Sequence, residues 1–160
     1  MQNILKKRIM KNTIIIILIL FSISCKREIK NISNKNPEWT IYNSKDSIPK
    51  QFYYVLKALN GNEKIADKNE EYEATDNISD ANLPTRQLKL LAKKKENWRL
   101  VYEQGGIGTY YVLIQCKIKK DSLYELKIAE TLLPIENNDS ISKFIKENRI
   151  DFQSIKTINK

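Results

Sequence analysis

Few residues in this chain could do chemistry, and the first to weigh is a carboxylate beside flexible backbone. Glu103 stands in the run Tyr102-Glu-Gln-Gly-Gly-Ile-Gly-Thr-Tyr-Tyr111. A second carboxylate, Glu125 or an acid from the 63–80 stretch, would make Glu103 half of a general acid/base pair of the glycosidase kind. Nothing in the spacing requires that pair, and solvated surface acids are the ordinary case. Gly105, Gly106 and Gly108 invite comparison with phosphate-binding loops. Such a loop must lead from a strand into a helix whose N-terminus receives the phosphate, and here a strand pattern follows. The glycines are instead read as hairpin residues supplying positive φ. Cys116 falls at an inward position of an alternating segment, where a thiol packs as a small hydrophobe. A nucleophilic thiol needs an activating base, and the chain has no histidine. That absence removes the commonest general base and the commonest metal ligand together. Asp67-Lys-Asn-Glu-Glu71 opens like a calcium loop, but Tyr72 occupies the position that needs glycine and Ile78 the position that needs glutamate. No catalytic residue, metal site or cofactor is therefore expected, and the reading leans away from an enzyme.

The Tyr102–Tyr111 run resembles one in small uncharacterised bacterial proteins, which brings no function with it. The N-terminus is more informative. Lys6, Lys7, Arg8 and Lys11 precede the apolar run Ile14–Phe21, and Ser22-Ile-Ser-Cys25 follows. A cationic start, a short apolar segment and small residues describe a secretory signal peptide. The apolar run is well short of the roughly 20 residues of a membrane-spanning helix. The small-apolar-small-Cys ending resembles the lipobox of bacterial lipoproteins, although Ser22 stands where that family more often has leucine. The resemblance implies removal of residues 1–24 and acylation of Cys25 on its thiol and new amino terminus. The protein would then be held in the cell envelope by a lipid anchor. Lys26 is not the aspartate that retains such proteins in the inner membrane, so the resemblance favours the outer membrane. The other readings are an uncleaved anchor or an ordinary signal peptide with an incidental cysteine. An acylated Cys25 leaves Cys116 without a partner; an unacylated one leaves a Cys25–Cys116 bridge open. Asp46-Ser-Ile, Asp121-Ser-Leu and Asp139-Ser-Ile each resemble the acceptor of a bacterial envelope O-glycosylation system, implying Ser47, Ser122 and Ser140 as sites. Helix caps and a turn explain the same tripeptides.

Four basic residues and no acid lie in the first 24, leaving a net charge of +5 on the remaining 136. That balance suits contact with an anionic surface but is no nucleic-acid footprint. The length suits one domain with a real core.

Several elements must position these groups. Residues 25–36 read as a flexible tether, 37–152 as one domain and 153–160 as a loose tail. Pro37–Tyr42 suits a short edge strand. Asp46-Ser47 offers N-cap chemistry for a helix over 48–60, whose apolar face is Ile48, Phe52, Val55, Leu56 and Leu59, with Gly61 closing it. Residues 62–84 read as an acidic, solvated loop. From Arg86 to Glu130, four period-2 segments argue an antiparallel meander with one buried face, taking Leu88, Leu90, Ala92, Trp98, Tyr110 and Tyr124 inward; Tyr111 and Leu113 point outward, so the second face of the third segment is partly covered or part of a site. Lys93-Lys-Lys95 and Lys117–Lys120 fall at successive turns, at what could be the same end of the sheet. Asn138-Asp-Ser140 starts a short helix to about residue 148. The expected fold is α+β, a four- to five-stranded antiparallel meander with both helices packed on one face.

The expected function is a non-enzymatic binding domain on an envelope lipoprotein, its partner an envelope protein or glycan and not nucleic acid. Tyr102, Glu103, Gln104, Thr109 and Tyr111, with the acidic 63–80 loop, are the expected contact surface. A carboxylate-dependent hydrolase and an immunity or inhibitor lipoprotein are the alternatives.

Overall fold

Alternation from Arg86 onward does build an antiparallel meander. The computed structural model describes residues 38–76 and 80–155; Cys25, the signal segment and the tether lie outside them. Strands β1 (Thr40–Tyr42), β2 (Arg86–Lys94), β3 (Asn97–Gln104), β4 (Tyr110–Lys119), β5 (Ser122–Thr131) and β6 (Gln153–Ser154) pair in sequence order, all antiparallel. Helix α1 spans Lys50–Asn60 and α2 spans Asn138–Lys146. The sheet has six strands instead of four or five, because Thr40–Tyr42 adds to one edge and Gln153–Ser154 to the other.

Both faces of the sheet are buried, with one helix on each, and this corrects the expectation of a single covered face. Side chains alternate across a strand, and on β3 Leu100 and Tyr102 join one apolar cluster while Val101 joins another. Phe52 and Leu56 of α1 fill the first cluster; Ile141 of α2 fills the second. Each such side chain contributes roughly 1.5–3 kcal/mol on burial.

Two bulges explain why alternation misplaced some side chains. The β2–β3 register shifts between Leu88 and Leu90. Leu88 and Leu91 therefore face α1, while Leu90 and Ala92 turn to the α2 side. The β4–β5 register shifts between Gln115 and Lys117, beside Glu125 at φ 51°. A bulge reverses the parity of everything before it, so Tyr124 is half exposed instead of inward. Trp98 and Tyr110 do pack against the α1 cluster as expected.

Local chemistry sets the ends. Gly61 closes α1 at φ 74°, donating to Lys57 O at 2.8 Å. Asp46 and Ser47 do not cap α1; they form a separate 3-10 turn capped by Ser44, and α1 starts after Pro49 with no side-chain cap. Leu59, expected on the apolar face, is exposed. The cap of α2 is Asn137, whose Oδ1 accepts from Ser140 N at 2.9 Å. Lys120 and Asp121, both at positive φ, form the two-residue turn between β4 and β5.

The acidic 62–84 stretch is not merely a solvated loop. Ile65, Ala66 and Glu73 are buried. Ala66 N donates to Arg86 O at 2.8 Å and Leu88 N to Ala66 O at 2.9 Å, so the segment covers the part of β2 that β1 does not reach. This satisfies an edge that would otherwise be open.

Candidate functional site

The alternation of β3 divides the five residues expected to form a contact surface. Tyr102 and Gln104 face α1 and are buried. Arg86, fully buried between them, donates through Nε to Gln104 Oε1 at 3.2 Å, through Nη1 to Asn62 O at 2.9 Å and through Nη2 to Leu56 O at 3.3 Å. Its guanidinium lies 5.5 Å from the Tyr102 ring centre. Gln104 Nε2 donates to Thr85 O at 3.1 Å and Gly105 O at 2.9 Å. This network ties the C-terminal end of α1 to the sheet; baring such buried acceptors would cost about 1–3 kcal/mol each. Tyr102 and Gln104 are thus structural, a correction to their placement on the surface.

Glu103 and Tyr111 face the other way, in a cross-strand row with Gln87. Lys89 forms an ion pair with Glu103, donates to Gln87 Oε1 at 2.7 Å and lies 5.8 Å from the Tyr72 ring centre. Burial, then the charge and hydrogen bond of Glu103, push the Tyr72 hydroxyl up to about 12. Tyr111 is raised by burial and by Glu103 and Glu136. Glu125 pairs instead with Lys117 at 2.5 Å, towards the opposite end of the sheet. Glu103 and Glu125 are not brought together, and what the 63–80 segment supplies to Glu103 is Tyr72. Lys89 and Tyr72 escaped sequence reasoning because one sits at the bulge and the other in a segment without periodicity.

At the same end, the β3–β4 loop is wedged against that segment. A Cβ on Gly105 would lie 2.0 Å from Glu73 O, so only glycine fits there. Gly106 N donates to Ala74 O at 3.4 Å and Thr109 Oγ1 to the same oxygen at 3.5 Å. Held this way, the loop raises Ile107 to 94 % exposure beside Leu132 at 81 %. Ile107, Tyr110, Glu130 and Leu132 border a groove of about 370 Å³.

The lysine-bearing turns meet at the other end. An open cleft of about 870 Å³ is lined by Lys50, Lys93, Lys95, Lys119, Lys120 and Trp98, with Glu96 and Asp121 as its acids. Glu96 pairs with Lys119 at 3.7 Å. Trp98 stacks on Tyr42 with ring centres 5.7 Å apart and planes at 20°, and Lys93 lies 5.0 Å from its ring centre. Pro49 and the first two residues of α1, Lys50 and Gln51, line another side of it.

On the α2 side of the sheet, Arg99 packs 4.2 Å from the Trp39 ring centre and donates through Nη1 to Asn138 Oδ1 at 3.0 Å. Burial lowers this guanidinium to about 10. Cys116 is a free thiol buried in the α1 cluster, as its inward position predicted. Among the described residues, no group of three or more His, Cys, Asp or Glu could hold a metal. No helix among them is long and apolar enough to cross a membrane. Against protein-family models, curated proteins and solved structures, the chain finds no match.

Proposed function

We propose that this chain is an envelope lipoprotein, anchored through Cys25, whose domain acts by binding an envelope protein. The observation that carries the reading is the pair Ile107 and Leu132, two large aliphatics left 94 % and 81 % exposed at one end of the sheet. Scattered apolar residues on a surface need no explanation, but neighbouring ones bordering a groove mark an interaction site. Gly105 cannot be replaced without displacing Glu73, so the loop carrying Ile107 is braced before any partner arrives. A preorganised loop loses less entropy on binding. Exposed Thr109 and the Tyr110 and Glu130 sides of the groove add polar contacts at its rim. Glu103 and Tyr111, expected in the same surface, instead support it from the α2 face through Lys89 and Tyr72.

The test places a photo-crosslinking side chain at Ile107 in the full chain, produced in cells, and irradiates the intact envelope. The expected result is one discrete protein adduct at position 107, lost when Leu132 is also changed to lysine. A uniform smear, or the same adduct from a probe at exposed Tyr54 on α1, would count against this surface.

A further inference from the structure

The cleft at the opposite end has a chemistry of its own. Five lysines line it against two acids, and one acid, Glu96, already pairs with Lys119. Its wall is the start of α1, where the backbone N–H groups point outward and carry the positive end of the helix dipole. Stability alone would place an acid or a capping side chain there. The chain instead has Pro49 with no side-chain cap, Lys50 as the first helical residue and no acid in the first turn. Such departures from local stability are expected at functional or strained sites, and this one lies at the wall of a lysine-lined cleft. Trp98 adds an indole on the cleft floor, backed by Tyr42. Lysines around an amphipathic indole are what contact at headgroup level uses.

The way the chain enters the domain says which anionic surface this is. Thr40 pairs with Lys93, itself a cleft residue, so the segment leading from Cys25 joins the domain at the lysine end. The 11 residues between Cys25 and Pro37 reach about 36–40 Å at most, enough to let this end touch the surface to which Cys25 is attached. The exposed aliphatics and Glu130 lie at the far end of β3 and β4. Those strands, 8 and 10 residues long, span about 26–33 Å.

We propose that the lysine-lined cleft takes the phosphates of an anionic lipid headgroup layer and so seats the domain on the membrane with the Ile107 end outward. This rests on the lipid-anchor reading only for its choice of membrane over another phosphate source.

The test uses the chain from residue 25 onward with Cys25→Ser, so that neither the basic, apolar segment 1–24 nor an acyl chain contributes, and with Trp39→Phe, so that Trp98 is the only tryptophan. Trp98 emission is followed on titration with phosphatidylcholine vesicles, with and without phosphatidylglycerol. The expected change appears with phosphatidylglycerol and weakens with salt. The lipid concentration at half-change should rise by about tenfold or more in Lys95→Glu/Lys120→Glu, at roughly 1 kcal/mol per lysine near an anionic surface. Both positions are exposed turn residues, so the fold tolerates the change, and both proteins share the same N-terminal segment. An unchanged midpoint in the double variant would overturn the proposal, as would an equal response to neutral vesicles. A response to inorganic phosphate or duplex DNA but not to vesicles would overturn it too. Because no acyl chain is present, failure here is separate from failure of the anchor, which intact mass reads.

Discussion

Burial raises the Cys116 thiol from its usual 9.0 to about 12, and this makes a reactive residue type inert at neutral pH. The folded protein keeps the proton between these values while the unfolded chain releases it. The unfolded state then binds fewer protons, so stability is full below pH 9 and falls as pH rises toward 12, by up to about 1.4 kcal/mol per pH unit for one group. Tyr102, pushed up to about 12 by burial, adds the same sign above pH 10. Arg99, lowered to about 10, works oppositely there, which leaves pH 9–10 as the window that Cys116 dominates. Chemical denaturation across pH 8–10 should show a steeper loss in the wild type than in Cys116→Ala. Parallel curves would mean that the thiol ionises in the folded state. The same scale shows how alternation on one strand sends Tyr102 and Gln104 inward as structure and leaves Glu103 paired with Lys89.

Among the elements, α1 is the one whose sequence conflicts with its own stability. Its C-terminal end is well satisfied, by Gly61 and by Arg86 donating to Leu56 O. Its N-terminal end carries Lys50 and no cap. Lys50→Glu should therefore stabilise the protein by about 0.3–1 kcal/mol through the helix dipole, while weakening binding to anionic vesicles. Urea denaturation and the vesicle titration together check this. A variant that neither gains stability nor loses binding would show that the start of α1 serves neither purpose. The β3–β4 loop shows a different economy: Gly105 permits close approach to Glu73, and Gly106 and Gly108 supply positive φ at 118° and 83°.

At the scale of the whole domain, the described residues form one compact unit, and the two ends of the sheet differ, with lysines and Trp98 at one and Ile107 and Leu132 at the other. Such a body is suited to stand on an anionic surface by one end and present the other. Lipid anchoring predicts that protein purified from its native membrane has an intact mass starting at Cys25 with acyl chains added. A mass starting there without them would remove the anchor and leave a secreted protein.

Local features could be read along the chain. Alternation gave the four long strands, and turn chemistry at Lys119–Ser122 and the glycines gave two of their connections. The 3.6-residue period gave Phe52 and Leu56 as the buried side of α1. Each depends on neighbours a few residues apart. Long-range packing set the remainder. Outward Tyr111 and Leu113 hinted at a second covered face, but that α2 covers it depended on long-range packing. Single-residue bulges at Lys89 and Glu125 reversed side-chain parity, because register is a property of two strands and not of one. The lysine cleft joins residues from α1, β2, β3, β4 and two turns, and the acidic segment found its place through backbone bonds to β2 and the β3–β4 loop. Those contacts join residues far apart along the chain, and only the folded sheet brings them within reach.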